Sequence, residues 1–308
     1  MIVQFLRAVL KENFPRNLKS EPLSHAQLRA ISVGAILAGV RTEYWDSLIT
    51  GTSTNTQKSL SKWWGIDSSQ TAVETLESIK NKRHSQMYNV ILANVGQAWY
   101  REPSFEDFMR AYQLMNLPLI DDDIANKYSR EVEMLEPHID KLYNISTETS
   151  DDKVEQTLKE LLGDDATISL CVQIYGSVMD KYDNYTQSYN NLIETFEELQ
   201  KRNIVSNKKE LERIDTAAWD MGRMVNVARW CYELKYISIS QAWEYIFLAE
   251  NESVPRYADW VELGKSYAVG RAMWGGSGVQ LTNTIDIIER LHKDDKSPWK
   301  HLTLQHGV

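Results

Sequence analysis

Strand signals are nearly absent from this sequence. No clean alternation of apolar and polar residues runs between Asn-Gly or Asp-Gly turns. That excludes hairpin-built sandwiches and barrels and leaves an all-α expectation. Cysteine is scarce too: Cys171 and Cys231 are the only two in 308 residues. Two thiols form at most one disulfide, so a reducing, cytoplasmic setting is expected rather than a secreted, disulfide-stapled one. The longest apolar runs, such as ISVGAILAGV at 31–40, fall far short of a bilayer span, so no membrane partner is expected. The opening stretch, MIVQFLRAVLKENFPRN, has no small-residue cleavage site after an apolar block, so no secretory signal is expected. Ile2, Phe5, Leu6, Val9 and Leu10 share one helical face there. Docking of that face on its own domain is preferred over a membrane-surface or partner helix.

Positive charge is in short supply. The formal net charge is −9, which repels phosphate backbones and excludes chain-wide nucleic-acid binding. Catalytic signatures are missing as well. His25, His84, His138, His292, His301 and His306 do not pair at helical spacing around an acid, so no zinc-protease pattern exists. Neither a GxSxG elbow nor a phosphate loop occurs. Asp121, Asp122 and Asp123 lack the alternating, glycine-bearing loop of a calcium site and suit a helix start. His84 closes a basic helix, where helix-end stabilisation is preferred over a catalytic acid. For GGSG at 275–278 a plain turn is preferred over an anion cradle. Neither a metal nor a cofactor is expected.

Helix signals and large rings are what the sequence does have. Apolar residues make up 43% and charged residues 25%, the globular range, and ten tryptophans need a large interior or a groove to line. Capping boxes are read at Ser24–Gln27, Asp67–Gln70, Ser238–Gln241 and Asp259–Glu262, and Ser104 opens a further helix. Gly65, in WWGID, suits the left-handed residue after a helix end. Tyr182, Tyr185, Tyr189, Ile193, Phe196 and Leu199 step by three and four along a long amphipathic helix. Helix packing is preferred over base or sugar stacking for that tyrosine stripe. The acidic stretch 144–166 marks a boundary or insertion.

The C-terminal third poses the functional question. AAWDMGRMVNVARW, at 217–230, reads as a buried helix, yet it carries Asp220, Arg223, Asn226 and Arg229. Trp219, Arg223, Asn226 and Trp230 fall on one stripe, and Asp220 sits among Met224, Val227 and Cys231 on the next. An aspartate there needs a cation, and Arg223, three residues on, is the local candidate. In WVELGKSYAVGRAMW, Trp260, Gly264, Tyr267, Arg271 and Trp274 share a stripe, with Glu262 nearby. Gly264 and Gly270 are expected to let another backbone approach closely. The preferred account is a buried ion-pair network with guanidinium groups against indoles. The alternative is a pocket in which Arg223 or Arg271 binds an anionic group, walled by Tyr267 and the tryptophans. In that version Asp220 or Glu262 orients an arginine or acts as a general base. Cys231, on an apolar stripe, is read as inert packing.

Several of these pieces occur together in a known order. AWDMGRMVNVARWCY, YISISQAWEYI and DWVELGKSYAVGRAMW, with LSHAQLRAISVGAILAG, WWGI and a helix ending in KNKRH upstream, resemble the uncharacterised bacterial domain of unknown function 1266 family, which includes the YbeU-like proteins. The resemblance spans roughly residues 20–100 and 210–275. One departure is Lys235, where the resemblance implies a glycine after the long helix. The family brings no biochemical activity with it.

The expectation is therefore an all-α, multi-helix orthogonal bundle of about ten to twelve helices. A block at 1–100 packs with a block at 211–308 as one core, and 101–210 forms a helical insertion or cap. Two functional readings follow. One is a protein-interaction or regulatory module, an immunity- or toxin-associated protein among them, whose acidic surface masks a basic partner. The other is an enzyme or small-ligand binder using the cluster of Asp220, Arg223, Asn226, Arg229, Trp230, Glu262, Tyr267, Arg271 and Trp274. A cavity at the arginine stripes separates them.

Overall fold

A computed structural model describes residues 14–51, 53–81, 83–98, 101, 103–114, 116–148, 151–162 and 165–305. The helical face read in the opening stretch lies outside these residues. Among them every regular element is helical, there is no strand, and the fold is all-α. No helix among them is long and apolar enough to cross a membrane.

The chain divides into two compact units, Met1–Ala93 with Asn191–Val308, and Asn94–Asn190. The first unit holds α1 (His25–Ser32), α2 (Ala35–Val40), α3 (Ser53–Trp64), α4 (Ser69–Lys80) and the start of α5 (Arg83–Ala98). The second holds α6 (Phe105–Leu114), α7 (Asp122–Lys127), α8 (Ser129–Leu135), α9 (Ile139–Glu148), α10 (Asp151–Leu162) and most of α11 (Asp165–Lys201). The first unit resumes with the end of α11, then α12 (Lys208–Leu211), α13 (Ala217–Glu233), α14 (Ile239–Ser253), α15 (Trp260–Gly275), α16 (Val279–Lys293) and α17 (Pro298–His301). The helices outnumber the expected ten to twelve because several, α12 and α17 among them, last only a single turn.

Short-range capping explains many of the helix starts. Ser24 and Gln27 form the expected box, as do Ser238 and Gln241. Ser104 Oγ accepts the Asp107 N–H while Asp107 accepts the Ser104 N–H. At α4 the cap sits one residue later than read from the sequence. Ser68 pairs with Thr71, and Asp67 is left to accept the Thr71 hydroxyl at 3.3 Å. Thr71 supplies the returning contact that Gln70 was expected to make, because its hydroxyl reaches the amide of Ser68 at 3.1 Å. The Asp67–Gln70 box is thus corrected to Ser68–Thr71. Gly65 has φ 64°, and the Ile66 N–H donates back to the Leu60 carbonyl at 3.1 Å, closing α3 with a left-handed residue.

The core of the first unit is α13. It packs against α14, α15, α4, α2 and α3, and every residue from Ala217 to Cys231 is buried. Each apolar side chain so buried contributes about 1.5–3 kcal/mol relative to exposure. The Thr216 side chain makes no cap, so neighbours satisfy the first turn. Asp215 accepts the Ala217 N–H at 2.9 Å, and the Tyr257 hydroxyl accepts the Ala218 N–H at 2.8 Å. Around this axis α16 packs on α2 and α15, and α14 packs on α1. Half-buried Trp243 and Phe247 lie against one another with ring centres 5.6 Å apart, while Tyr245 and Ile246 take the buried face of α14.

In the second unit the tyrosine stripe of α11 packs as an aromatic core. Phe105 stacks on Tyr143 at 4.0 Å and meets Tyr182 edge-on at 5.1 Å, and Tyr185 abuts Phe108 at 5.6 Å. Asp121 stands at the N-cap position of α7 without a side-chain capping bond and pairs with Lys181 at 3.2 Å. Among the described residues no group of three or more metal-binding side chains is found.

The end of α13 shows why a glycine belongs at position 235. Lys235 has φ 62°, its N–H donates to the Tyr232 carbonyl at 2.9 Å, and the Tyr236 N–H donates to the Cys231 carbonyl at 2.8 Å. These two bonds define a Schellman turn, which normally places glycine at the left-handed residue. Lysine holds the same turn at a conformational cost. Lys235→Gly is expected to stabilise the protein by about 1 kcal/mol, read as a higher urea midpoint at unchanged slope. An unchanged or lower midpoint counts against the strain at this turn.

Candidate functional site

A cavity of about 520 Å³ opens beside α13. The volume is within the range of small-molecule sites. Its wall takes Trp219, Arg223 and Trp230 from α13, Tyr267, Arg271 and Trp274 from α15, and Gln280 and Thr284 from α16. Trp63 and Trp64 of α3, Ile79 of α4, His84 of α5 and Arg41, just after α2, complete the mouth and the opposite side.

Reciprocal packing of α13 and α15 shapes the floor. A Cβ at Gly222 would stand 2.8 Å from the Tyr267 ring, and a Cβ at Gly270 would stand 2.5 Å from the Trp219 Cβ. Each helix thus offers a glycine to receive an aromatic side chain from the other. The two rings meet edge-on at 5.1 Å, and Trp219 continues to Trp274 at 5.9 Å. Gly270 therefore admits a side chain rather than a backbone. Gly264 is likewise filled by a side chain, Ile288 of α16.

Three guanidinium groups reach the cavity, each held differently. Arg41 donates from Nε to Glu43 at 2.7 Å and lies 4.6 Å from the centre of the Trp230 ring. Arg223 pairs with Asp220, donates from Nε to the Trp219 carbonyl at 3.2 Å, and sits 4.6 Å from Trp219 and 5.6 Å from Trp64. Arg271 donates from Nη2 to the neutral Gln280 at 2.8 Å and stands 5.1 Å from Trp274. Only 7% of Arg271 is exposed, and its Nη1 has no acceptor. Burial pulls its pKa below the ordinary value, opposed only by the hydroxyls of Tyr267 and Tyr88. Among the described residues four buried side-chain polar atoms lack a partner, and two of them, Arg271 Nη1 and Trp219 Nε1, belong to this wall. Both are donors. Gly275 leaves the room that the Arg271 guanidinium occupies, since a Cβ there would clash with Nη1.

The remaining polar residues of α13 are structural. The second carboxylate oxygen of Asp220 accepts the Ser85 N–H at 2.9 Å, in the first turn of α5, where the helix macrodipole favours a negative charge. Asn226 donates to the Gly34 carbonyl at 2.8 Å and the Gly222 carbonyl at 2.9 Å, and accepts from Arg229 Nη1 at 3.3 Å. Arg229, 1% exposed, donates to the Ser47 carbonyl at 3.1 Å and to the Tyr44 carbonyl. Burial lowers its pKa, against Glu43, Glu233 and Asp46. The Trp230 indole donates to both Glu43 oxygens, at 3.0 and 3.1 Å. Burial pushes Glu43 up, and Arg229 and Arg41 pull it back.

The sequence-based candidates therefore separate. Arg223, Trp230, Tyr267, Arg271 and Trp274 reach the cavity, and Asp220 stands behind Arg223. Asn226 and Arg229 tie α13 to the turn before α2 and to the loop after it, away from the wall. Glu262 does not join them. It is exposed and turned back on its own helix start, where it accepts the Ala258 N–H at 2.7 Å. It neither orients an arginine nor serves the cavity as a base, because its capping role points it away from α13. Asp220 already accepts from Arg223 and the Ser85 amide. Burial alone pushes the Cys231 thiol up to about 12, so it stays protonated.

His84 requires a correction. The basic stretch does not end a helix there: α4 stops at Lys80 and α5 starts at Arg83, so His84 lies in a first turn. Its ring is exposed within the cavity mouth, yet surrounding protein and Arg223 push its pKa down to about 4, against an upward pull from Asp220. Arg41, Trp63, Trp64, Gln280 and Thr284 carried no local signal of a site. The turn at 275–278 has Gly276 at φ 63° and Gly278 at φ 124°, and the Ser277 hydroxyl donates to Glu194.

A family model described as "Protein of unknown function (DUF1266)" matches residues 59–304. The match includes the middle of the chain, where no motif resemblance was read, and begins after LSHAQLRAISVGAILAG. No curated protein and no solved structure matches.

Two outcomes test this geometry. Gly270→Ala forces a methyl against the Trp219 Cβ, which cannot swing away, so a loss of about 1–3 kcal/mol in chemical denaturation is expected. An unchanged midpoint shows that the interlock is loose. His84 has a folded pKa near about 4 against an ordinary 6.5, so the unfolded chain binds the extra proton in between. Its contribution is complete above pH 6.5 and is lost as pH falls toward about 4. Across that window wild-type melting temperature should fall further than that of His84→Gln. Parallel curves would show that His84 does not feel Arg223 and the surrounding protein as the geometry implies.

Proposed function

The chain belongs to the DUF1266 family of proteins of unknown function, and we propose that it binds a small organic anion in the tryptophan-walled cavity beside α13. One observation carries this reading. Arg271 is a nearly buried guanidinium on the cavity wall with no carboxylate partner among the described residues and with Nη1 lacking an acceptor. A charge held that way is costly unless an anion meets it. Trp219 Nε1, the second donor without a partner on this wall, supports the same polarity of ligand. The indoles of Trp64, Trp219, Trp230 and Trp274 supply flat apolar surface for the body of that ligand.

The two cavity arginines also respond differently to removal. Arg223 neutralises buried Asp220, so Arg223→Met leaves an uncompensated carboxylate and is expected to cost about 3–5 kcal/mol of stability. Arg271 leaves no acid behind, so Arg271→Met preserves the fold and removes the anchor. This distinguishes recognition from architecture.

A second reading, the protein-interaction module, has the same mouth receive a side chain from a partner protein. Trp63, 71% exposed at the rim, favours it. Under that reading Trp63→Ala abolishes co-purification of a partner while sparing the anion site. Co-purification that survives the substitution rejects it.

The small-anion reading is tested with anilinonaphthalene sulfonate, an aromatic anion, followed by energy transfer from the cavity tryptophans. Saturable one-to-one binding by the wild type is expected. Arg271→Met should weaken it about tenfold to a hundredfold, the worth of one charged hydrogen bond, with an unchanged melting temperature. Absence of saturable binding by the wild type, or equal binding by Arg271→Met, overturns the reading.

A further inference from the structure

The guanidinium groups that line the cavity are balanced by carboxylates with one exception. Arg41 faces Glu43 at 2.7 Å. Arg223 faces Asp220. Arg229, behind the wall, lies in the field of Glu43, Glu233 and Asp46, and Asp46 is itself paired with Arg16 at 2.9 Å. Of the three arginines that line the cavity, Arg41 and Arg223 each face a carboxylate and Arg271 faces none, which leaves one guanidinium charge of the wall in excess. The excess sits on Arg271, which meets a neutral amide and an indole face. No carboxylate lines the cavity among the described residues.

From this balance we infer that the cavity selects a monoanion on an aromatic body, an aromatic carboxylate rather than a phosphate monoester. The inference rests on the small-anion reading and sharpens it. A carboxylate cancels the single excess charge of a wall on which Arg271 faces no acid and the two side-chain polar atoms without partners, Arg271 Nη1 and Trp219 Nε1, are both donors. A phosphate monoester is close to doubly charged at neutral pH and above. It would bring a second negative charge into a wall where the other guanidinium groups already have carboxylates, and that uncompensated charge opposes binding. His84 adds no positive charge to offset it, since its ring is neutral above pH 6.5. Apolar flat surface, rather than further polar groups, is what the indoles of Trp219, Trp230 and Trp274 present to the rest of the ligand.

Gln280 is the lever. It is exposed, on the first turn of α16, and its Oε1 already accepts from Arg271 at 2.8 Å. Gln280→Glu keeps that bond and cancels the excess charge without touching the core. The experiment is isothermal titration of the full chain with naphthoate, naphthyl phosphate and naphthalenemethanol at pH 8. These share one ring system and differ in charge. For the wild type, naphthoate is expected to bind at least about tenfold more tightly than either of the others. In Gln280→Glu the naphthoate advantage over naphthalenemethanol should disappear.

The outcomes separate the two claims. Binding of none of the three probes overturns the small-anion reading itself. Binding of naphthyl phosphate as tight as or tighter than naphthoate leaves an anion cavity but overturns the charge count. So does a Gln280→Glu variant of unchanged melting temperature that keeps the full preference for naphthoate.

Discussion

The structure depends on one constraint. Helix α13 is buried on all sides and still carries two arginines, an aspartate and an asparagine. A helix in that position is ordinarily apolar all round. Each polar group on it has to find its partner inside the protein, because a group out of reach of water is costly to leave unpaired. Those partners are the amide of Ser85, the carbonyls of Gly34, Tyr44 and Ser47, and the Glu43 carboxylate that receives Trp230. Satisfying α13 therefore fixes where the start of α5, the turn before α2 and the loop after it must lie. Hydrogen bonding here sets register more than it adds net stability.

The same helix sets one side of the cavity. Glycines at 222 and 270 let α13 and α15 lock rings into each other, so Trp219 and Tyr267 are held by backbone proximity rather than by flexible contacts. A wall made this way is preformed, and a ligand entering it need not order those side chains first. The opposite side, with Trp63 exposed, has fewer such constraints.

Arginine plays two roles in one small region. Where a carboxylate or several carbonyls surround the guanidinium, as at Arg223 and Arg229, the residue belongs to the architecture. At Arg271 the partner is a neutral amide, one nitrogen lacks an acceptor, and no carboxylate is paired with the guanidinium among the described residues. Sequence spacing alone does not separate these cases, since Arg223 and Arg271 both lie between large rings on helical stripes. What separates them is the nearest acid. Asp220 is three residues from Arg223 and is fixed by a distant amide, whereas Glu262, the nearby acid on α15, is drawn to its own helix start.

Local physics was legible in the sequence by itself. The all-α character, the caps at Ser24, Ser238 and Asp259, the left-handed Gly65 and the Asp220–Arg223 pair depend on contacts within a few residues. Errors of the local reading were local too. The α4 cap moved by one residue because a threonine outcompeted a glutamine, and His84 fell on a helix start because the helix breaks after Lys80. Only the tertiary structure decided the cavity. Its wall joins residues from Leu37 to Thr284, and the bonds that hold it span 135 positions between Ser85 and Asp220 and 187 between Glu43 and Trp230. No helical periodicity encodes such pairings. Which buried charge is cancelled by a carboxylate and which is not depends on what the folded chain brings within about 3 Å, and local spacing does not contain that information.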